Sequence, residues 1–272
     1  MKNIKRVAVL DMNDNYPNQG MRGIRGILES FSTHLDYQVF DVRVHNEVPN
    51  HKFDIYIGSG GPGDPLKMKG NWVTRFYNLI DRLWANNQNP DNPRKNFFFI
   101  CHSFQMVCHH FGLGEITKRK STSFGVYPVH KTEAGQSEPI FEELPDPFYV
   151  VDSRDYQLVQ PNLQVFEEHG ATILSMEKIR THIELERAIM AVRFSPEFVG
   201  VQFHPEADPY GMRTHFKKEE NRKKVIKNYG AKKYRKMMDH LEDTDNIKLT
   251  HDVVLPTFLK NSLSEVFETI KV

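Results

Sequence analysis

Short apolar runs bounded by turn residues recur through the first hundred positions: RVAVLDM (6–12), YQVFDVRV (37–44), FDIYIGSGG (53–61) and NFFFIC (96–101). Their length and their β-branched or aromatic content predict strands. Between them, apolar residues at helical spacing predict helices over about 21–31, 71–85 and 102–111. Strands alternating with helices predict an α/β fold whose mostly parallel sheet is covered on both faces.

From Thr117 the texture changes. SFGVYPVHKT (123–132), FYVVDS (148–153), LQVFEEHG (163–170), TILSMEK (172–178), AIMAVRF (188–194) and FVGVQFHPE (198–206) follow closely, with little helix between them. This predicts antiparallel additions and late strands joined to the same sheet. Beyond Glu206 the chain is rich in Lys and Arg and predicts helices broken near Gly230, followed by an amphipathic segment over about 253–270 with Pro256 near its start. These shifts divide the chain into a domain over 1–210 and a basic helical C-terminal extension over 211–272. No internal repeat or low-complexity tract interrupts either part.

The 272 residues are 39% hydrophobic and 26% charged, which suits a soluble globular protein. No apolar stretch is long enough to span a bilayer, and no membrane partner is expected. The start, MKNIKRVAVLDM, is basic and then apolar, but its apolar run ends at Asp11 and is too short for a secretory signal. Two cysteines form no disulfide framework and fit a reducing compartment, so the expected location is cytoplasmic. A net charge of +1 selects no class of partner. The basic helices read first as a solvated face and second as a protein-docking surface. Phe216, Tyr229 and Tyr234 form no stacking stripe with arginines, so no nucleic-acid partner is expected.

The run NFFFIC passes directly into helical spacing, which puts Cys101 where a strand turns into a helix. In open α/β sheets ligands bind at that edge. A thiol there is exposed, the helix N-terminus behind it favours the thiolate, and the N–H of His102 can face a developing oxyanion. A buried structural cysteine is the competing reading. Two other strand ends shift the balance. GVQFHPEAD (200–208) ends in His204 and Glu206, a base and a carboxylate to orient it. IGSGGPGDP (57–65) ends in glycines that let backbone N–H groups approach a substrate, and no Gly-Lys-Ser/Thr follows to make it a phosphate loop. Cys101, His102, Cys108, His109 and His110 are dense, but their spacing matches no common zinc pattern, so no metal is expected.

With these strings in hand, residues 5–210 resemble the class I, triad-type glutamine amidotransferases, with SGGPGDP and VQFHPE the most specific matches. The flavour is closest to the stand-alone group similar to the glutaminase part of GMP synthase. The resemblance implies a flavodoxin-like, doubly wound fold and no cofactor. It implies that Cys101 attacks the glutamine amide, His204 moves the proton and Glu206 orients His204. The oxyanion hole maps onto the N–H groups of Gly61 and His102. Substrate contacts map onto Gly63, Gln105, Ser153 and Tyr156. The chain departs from the family pattern at Phe99 and Ser103, where glycine is usual, and at Arg154 and Asp155 in the second substrate-holding stretch.

The expected activity is therefore hydrolysis of the glutamine side-chain amide through a thioester. No ATP-binding loop follows, so ammonia is expected to pass to a separate synthetase chain. A γ-glutamyl hydrolase or peptidase on the same fold is the alternative, and a non-catalytic regulatory subunit is a third. The turn NDNYPNQGMRGI (13–24) is expected to bring Asn15 and Gln19 to the border of the site.

Overall fold

A computed structural model describes residues 4–15, 19–179, 186–242 and 244–264. In chain order the elements are β1 (Lys5–Asp11), α1 (Gln19–Glu29), β2 (Leu35–Asp41), β3 (Ile55–Gly58), α2 (Asn71–Gln88), β4 (Asn96–Ile100), α3 (His102–His110), β5 (Glu115–Lys131) and α4 (Glu133–Gln136). They continue with β6 (Phe148–Val159), α5 (Leu163–His169), β7 (Thr172–Glu177), β8 (Ile189–Arg193), β9 (Phe198–Val201), α6 (Pro209–Lys217), α7 (Glu219–Tyr229), α8 (Ala231–Glu242) and α9 (Thr244–Ser262).

The strands form a nine-stranded sheet in the order β2-β1-β3-β4-β9-β8-β6-β5-β7. The first five run parallel, and the rest join antiparallel. This is the mostly parallel, doubly covered sheet with antiparallel additions that the sequence predicts. The parallel strands are apolar on both sides because both sides are covered. Val7, Val9, Ile55, Ile57, Phe98 and Ile100 pack with α1, whereas Ala8, Leu10, Tyr56, Phe97 and Phe99 pack with α2 and α3.

One of the late apolar runs is not a strand. LQVFEEH forms α5, because Asn162 caps its start by accepting from the Val165 N–H at 3.4 Å, and Gly170 ends it in the left-handed region at φ 64°. Cap and terminator outweigh a short apolar pattern that either period can fit.

The basic C-terminal helices part company. The chain breaks at Gly230, between α7 and α8; α6 and α8 pack on Val126 and Val151 of β5 and β6, and α7 meets β5 through Tyr229 on Phe124. In contrast, α9 lies on the sheet. Its Val253, Val254, Leu255, Phe258 and Leu259 join the same buried cluster as β1, β3 and β4, and Phe258 meets Phe98 at 5.1 Å between ring centroids. Pro256 sits inside this helix. The predicted amphipathic segment thus begins well upstream of Val253, and its last six positions lie outside the described residues.

Candidate active site

The carboxyl ends of β1, β3, β4 and β9 meet at one edge of the sheet, and the three stretches singled out in the sequence meet there. Cys101 links β4 to α3 with φ 49° and ψ −96°, an unusual conformation for a residue with a side chain. Its N–H is held by the Val201 carbonyl at 2.8 Å.

The two departures before and after the cysteine are absorbed beneath the turn. Phe99 is fully buried, stacks on Phe97 at 4.0 Å, and meets Phe194 and Phe198 edge-on. Its cross-strand partner is Gly200. A Cβ on Gly200 would come within 3.1 Å of the Phe99 Cβ and 2.7 Å of the Phe104 ring, so glycine opposite Phe99 makes room for it. Ser103 accepts from the Ile100 N–H at 2.9 Å and donates to the Gly58 carbonyl at 2.8 Å. It therefore ties β3 to the turn, which a glycine could not do.

The glycine-rich loop after β3 is pinned from two sides. The Ser59 hydroxyl accepts from the Met12 N–H at 2.9 Å and donates to the Gly60 carbonyl at 2.8 Å. The Arg43 guanidinium donates to the carbonyls of Pro62 at 2.6 Å and Met12 at 3.2 Å. A Cβ on Gly60 would lie 2.8 Å from the His204 ring and 3.5 Å from the Cys101 Cβ, so only glycine lets the loop approach both. The amides of Gly61 and His102, at the same edge, donate to no protein group among the described residues.

His204 follows β9 and is held by its own N–H on the Val151 carbonyl at 2.9 Å. Its Nδ1 lies 2.8 Å from Glu206 Oε1, and Glu206 is buried. Burial works against a charge on His204, but the Glu206 carboxylate and the Cys101 sulfur outweigh it, holding the imidazole pKa well above its ordinary value. Burial pushes the thiol of Cys108 well up, which leaves it inert beside Cys101. His102 differs again. Its ring is buried, with Nε2 unpaired among the described residues, and burial with the nearby Arg43 pushes its pKa down to about 3.

A cleft of about 440 Å³ opens over this edge, and Cys101, Gly61, Gly63, His102, Gln105, Ser153, Tyr156, His204 and Glu206 all line it. The Ser153 carbonyl lies 3.8 Å from the Cys101 sulfur. Arg154 does not reach out to it: the side chain is buried and its Nε bonds both oxygens of Asp152 at 3.0 Å. Asp155 is exposed at the rim, where it accepts from the Thr122 hydroxyl. Gln19 borders the cleft with Asn13, whereas Asn15 is not among its lining residues.

Two groups of residues were missed in the sequence. Gln202 is fully buried, donates to the Cys101 sulfur at 3.6 Å, and accepts from Gln105 Nε2 at 3.0 Å. Gln105 Nε2 also reaches the Tyr156 carbonyl at 3.0 Å, so one chain of amides joins the sulfur to the second substrate stretch. The signal was present: a glutamine within the apolar run 198–203 needs a buried partner. The second group comes from the tail, as Met212, His215, Phe216, Tyr229 and Met237 also line the cleft.

The sequence pattern of the family described as glutamine amidotransferase class-I matches residues 23–223. The chain belongs to that family. No curated protein sequence matches it. Solved structures share the fold at low identity. A glutamine amidotransferase of Thermotoga maritima superposes with a TM-score of 0.70 at 17% identity, over 95% of this chain and 98% of that one. A glutamine amidotransferase of Methylobacillus flagellatus gives 0.69 at 14% identity, over 97% and 96% of the two chains. A GMP synthase-like protein of Thermoplasma acidophilum gives 0.54 at 14% identity, over 99% of each. At these identities the likeness is one of fold. No described helix is long and apolar enough to cross a membrane.

Proposed function

We propose that this chain hydrolyses the side-chain amide of glutamine through a thioester on Cys101, and that the ammonia passes to a synthetase carried by a separate chain. The observation that carries the reading is the 2.8 Å pairing of His204 with buried Glu206 beside a cysteine held at a strand-to-helix turn. Family membership and the fold of the neighbours support it.

In this reading His204 takes the Cys101 proton, the sulfur attacks the γ-carbonyl carbon, and the amides of Gly61 and His102 donate to the oxyanion. His204 then protonates the leaving nitrogen, the carbon–nitrogen bond breaks, and water releases glutamate with His204 as base. Glu206 keeps the imidazole oriented. Gln105, Ser153, Tyr156 and Gly63 hold the amino-acid end of the substrate.

An electrophilic glutamine analogue tests the assignment, read by mass spectrometry of the intact chain and its peptides. Label is expected on Cys101 alone, and Cys101→Ser is expected to abolish both labelling and ammonia release. Labelling of Cys108, or turnover by Cys101→Ser, would remove the basis of the proposal.

A further inference from the structure

Strand β5 loses its register with β6 beside the cleft. Lys118 pairs with Tyr156 and Ser123 with Arg154, so residues 119–122 stand opposite Asp155 alone. A bulge of this kind leaves side chains outside the ladder and re-aims them. Thr122, at its far end, lines the cleft. Its other residues line a second hollow, of about 180 Å³, which shares no described lining residue with the cleft.

Five cationic side chains line that hollow: Lys118, Arg119 and Lys120 from β5, with Lys178 after β7 and Arg187 ahead of β8. Its two carboxylates are already engaged. Glu177 accepts from Arg119 at 3.3 Å and lies 3.8 Å from the buried Arg154 guanidinium, and Glu186 accepts from Gln160 at 2.9 Å. The ammonium groups of Lys118, Lys120 and Lys178 have no partner among the described residues. The Arg187 Nε donates to the Glu177 carbonyl at 2.8 Å, which anchors its guanidinium there. The Arg119 Nε is buried and unpaired among the described residues, although the rest of its fork holds Gln157 and Glu177.

Lysines on a surface usually stand apart in solvent. Here like charges from three stretches of chain meet in a concavity, and a bound anion relieves their repulsion. The hollow is smaller than the roughly 300–1,000 Å³ that encloses a drug-sized ligand, so it suits a compact group. Guanidinium forks match phosphate oxygens in geometry, and the ammonium groups and the Ser121 hydroxyl supply donors from further directions. A carboxylate, with two oxygens, would leave more of these donors unused. We infer that the hollow is an anion site for the phosphate or diphosphate group of a small molecule. It stands apart from the thioester chemistry and does not depend on it.

The test is titration calorimetry of the full chain with pyrophosphate, inorganic phosphate and acetate at constant ionic strength. Pyrophosphate is expected to bind saturably at one site and more tightly than phosphate, and acetate to give only heat of dilution. Lys120→Ala combined with Lys178→Ala removes two unpaired charges and is expected to weaken pyrophosphate binding roughly tenfold or more. Lys224→Ala combined with Lys227→Ala, on the exposed and more basic face of α7, is expected to leave it unchanged. Thermal unfolding shows that both variants fold, and pyrophosphate should raise the midpoint of the wild type and of the α7 variant only. Adenosine diphosphate, added as a competitor, separates two sources of the same chemistry. Competition supports a site for the phosphate end of a larger molecule, and its failure supports a site for the free anion. Equal weakening by the two pairs of substitutions, acetate binding as tight as that of pyrophosphate, or no saturable heat would overturn the site.

Discussion

The floor of the cleft lies where β4 and β9 end, between layers in which Phe98, Ile100, Val199 and Val201 are fully buried. Its outer wall consists of α6, α7 and α8, which bury little beyond Pro209, Met212, Val225, Met237 and Leu241 and carry most of their charge outward. The floor sits in a sheet whose strands cannot shift without disturbing both layers, so Cys101 and His204 are held where the proposed chemistry needs them. The wall packs on β5 and β6, outside the parallel half of the sheet. The contrast is between a floor held inside two buried layers and a wall that buries few side chains.

The largest effects beyond loss of the nucleophile should come from the floor. Glu206→Gln keeps the shape of the side chain but removes the charge that orients and raises His204. Its kcat is expected to fall by roughly 10²–10⁴-fold, whereas labelling of Cys101 should persist, more slowly. A loss of less than about threefold would show that the His204–Glu206 pair is structural.

Stability should divide along the same line. Phe99→Ala opens a cavity beneath the elbow, among Phe97, Phe194 and Phe198, and is expected to cost about 3–5 kcal/mol in urea unfolding. Val225→Ala, on a helix that buries only that residue, is expected to cost about 1 kcal/mol. Equal costs would mean that wall and floor form one cooperative unit, and the contrast between them would fail.

The parallel half of the fold was legible because its strands are short, apolar and separated by periodic helices, and the site because its motifs fall at strand ends. The tail was not. A boundary near residue 210 follows the shift in composition, yet α9 packs as deeply as any helix on the sheet, with Val254, Leu255 and Leu259 fully buried. A lysine-rich sequence records which faces are solvated, and it does not say which neighbour the other face meets. Run 163–170 misleads because its caps, Asn162 and Gly170, decide between two periods that a short segment cannot distinguish. Phe99 raises the right question, repacking beneath the elbow, but its answer at Gly200 lies on a strand about a hundred positions away in sequence.

Gln202 sharpens the account of the floor. It is the buried donor to the Cys101 sulfur and the acceptor for Gln105. A hydrogen bond to a charged group contributes about 1.5–3 kcal/mol. In Gln202→Leu the rate of Cys101 alkylation by iodoacetamide at pH 7 is expected to fall roughly tenfold, with KM for substrate rising as Gln105 loses its support. Gln202→Glu should restore the shape and not the rate, because a carboxylate repels the thiolate. Unchanged alkylation in both variants would confine Gln202 to packing.

The last expected effect, seen only on acidification, concerns His102, which belongs to the floor through its backbone but whose ring plays no part in the proposed chemistry. An unfolded histidine titrates near 6.5. In the folded chain burial and Arg43 push the pKa down to about 3, with Asp64 opposing weakly. Above about pH 6.5 the ring is neutral in both states and contributes no pH dependence. As the pH falls below that, the unfolded chain takes up a proton that the folded chain refuses, so stability declines by about 1.4 kcal/mol per pH unit until about pH 3. His102→Leu keeps the backbone N–H and removes the titration. The unfolding free energy of the wild type, measured against that of this variant, should therefore drop by about 1.4 kcal/mol between about pH 5.5 and 4.5. Parallel curves for the two proteins across that window would mean that the ring takes up its proton in the folded state. The floor at this point would then be wetter than its buried, unpartnered Nε2 implies.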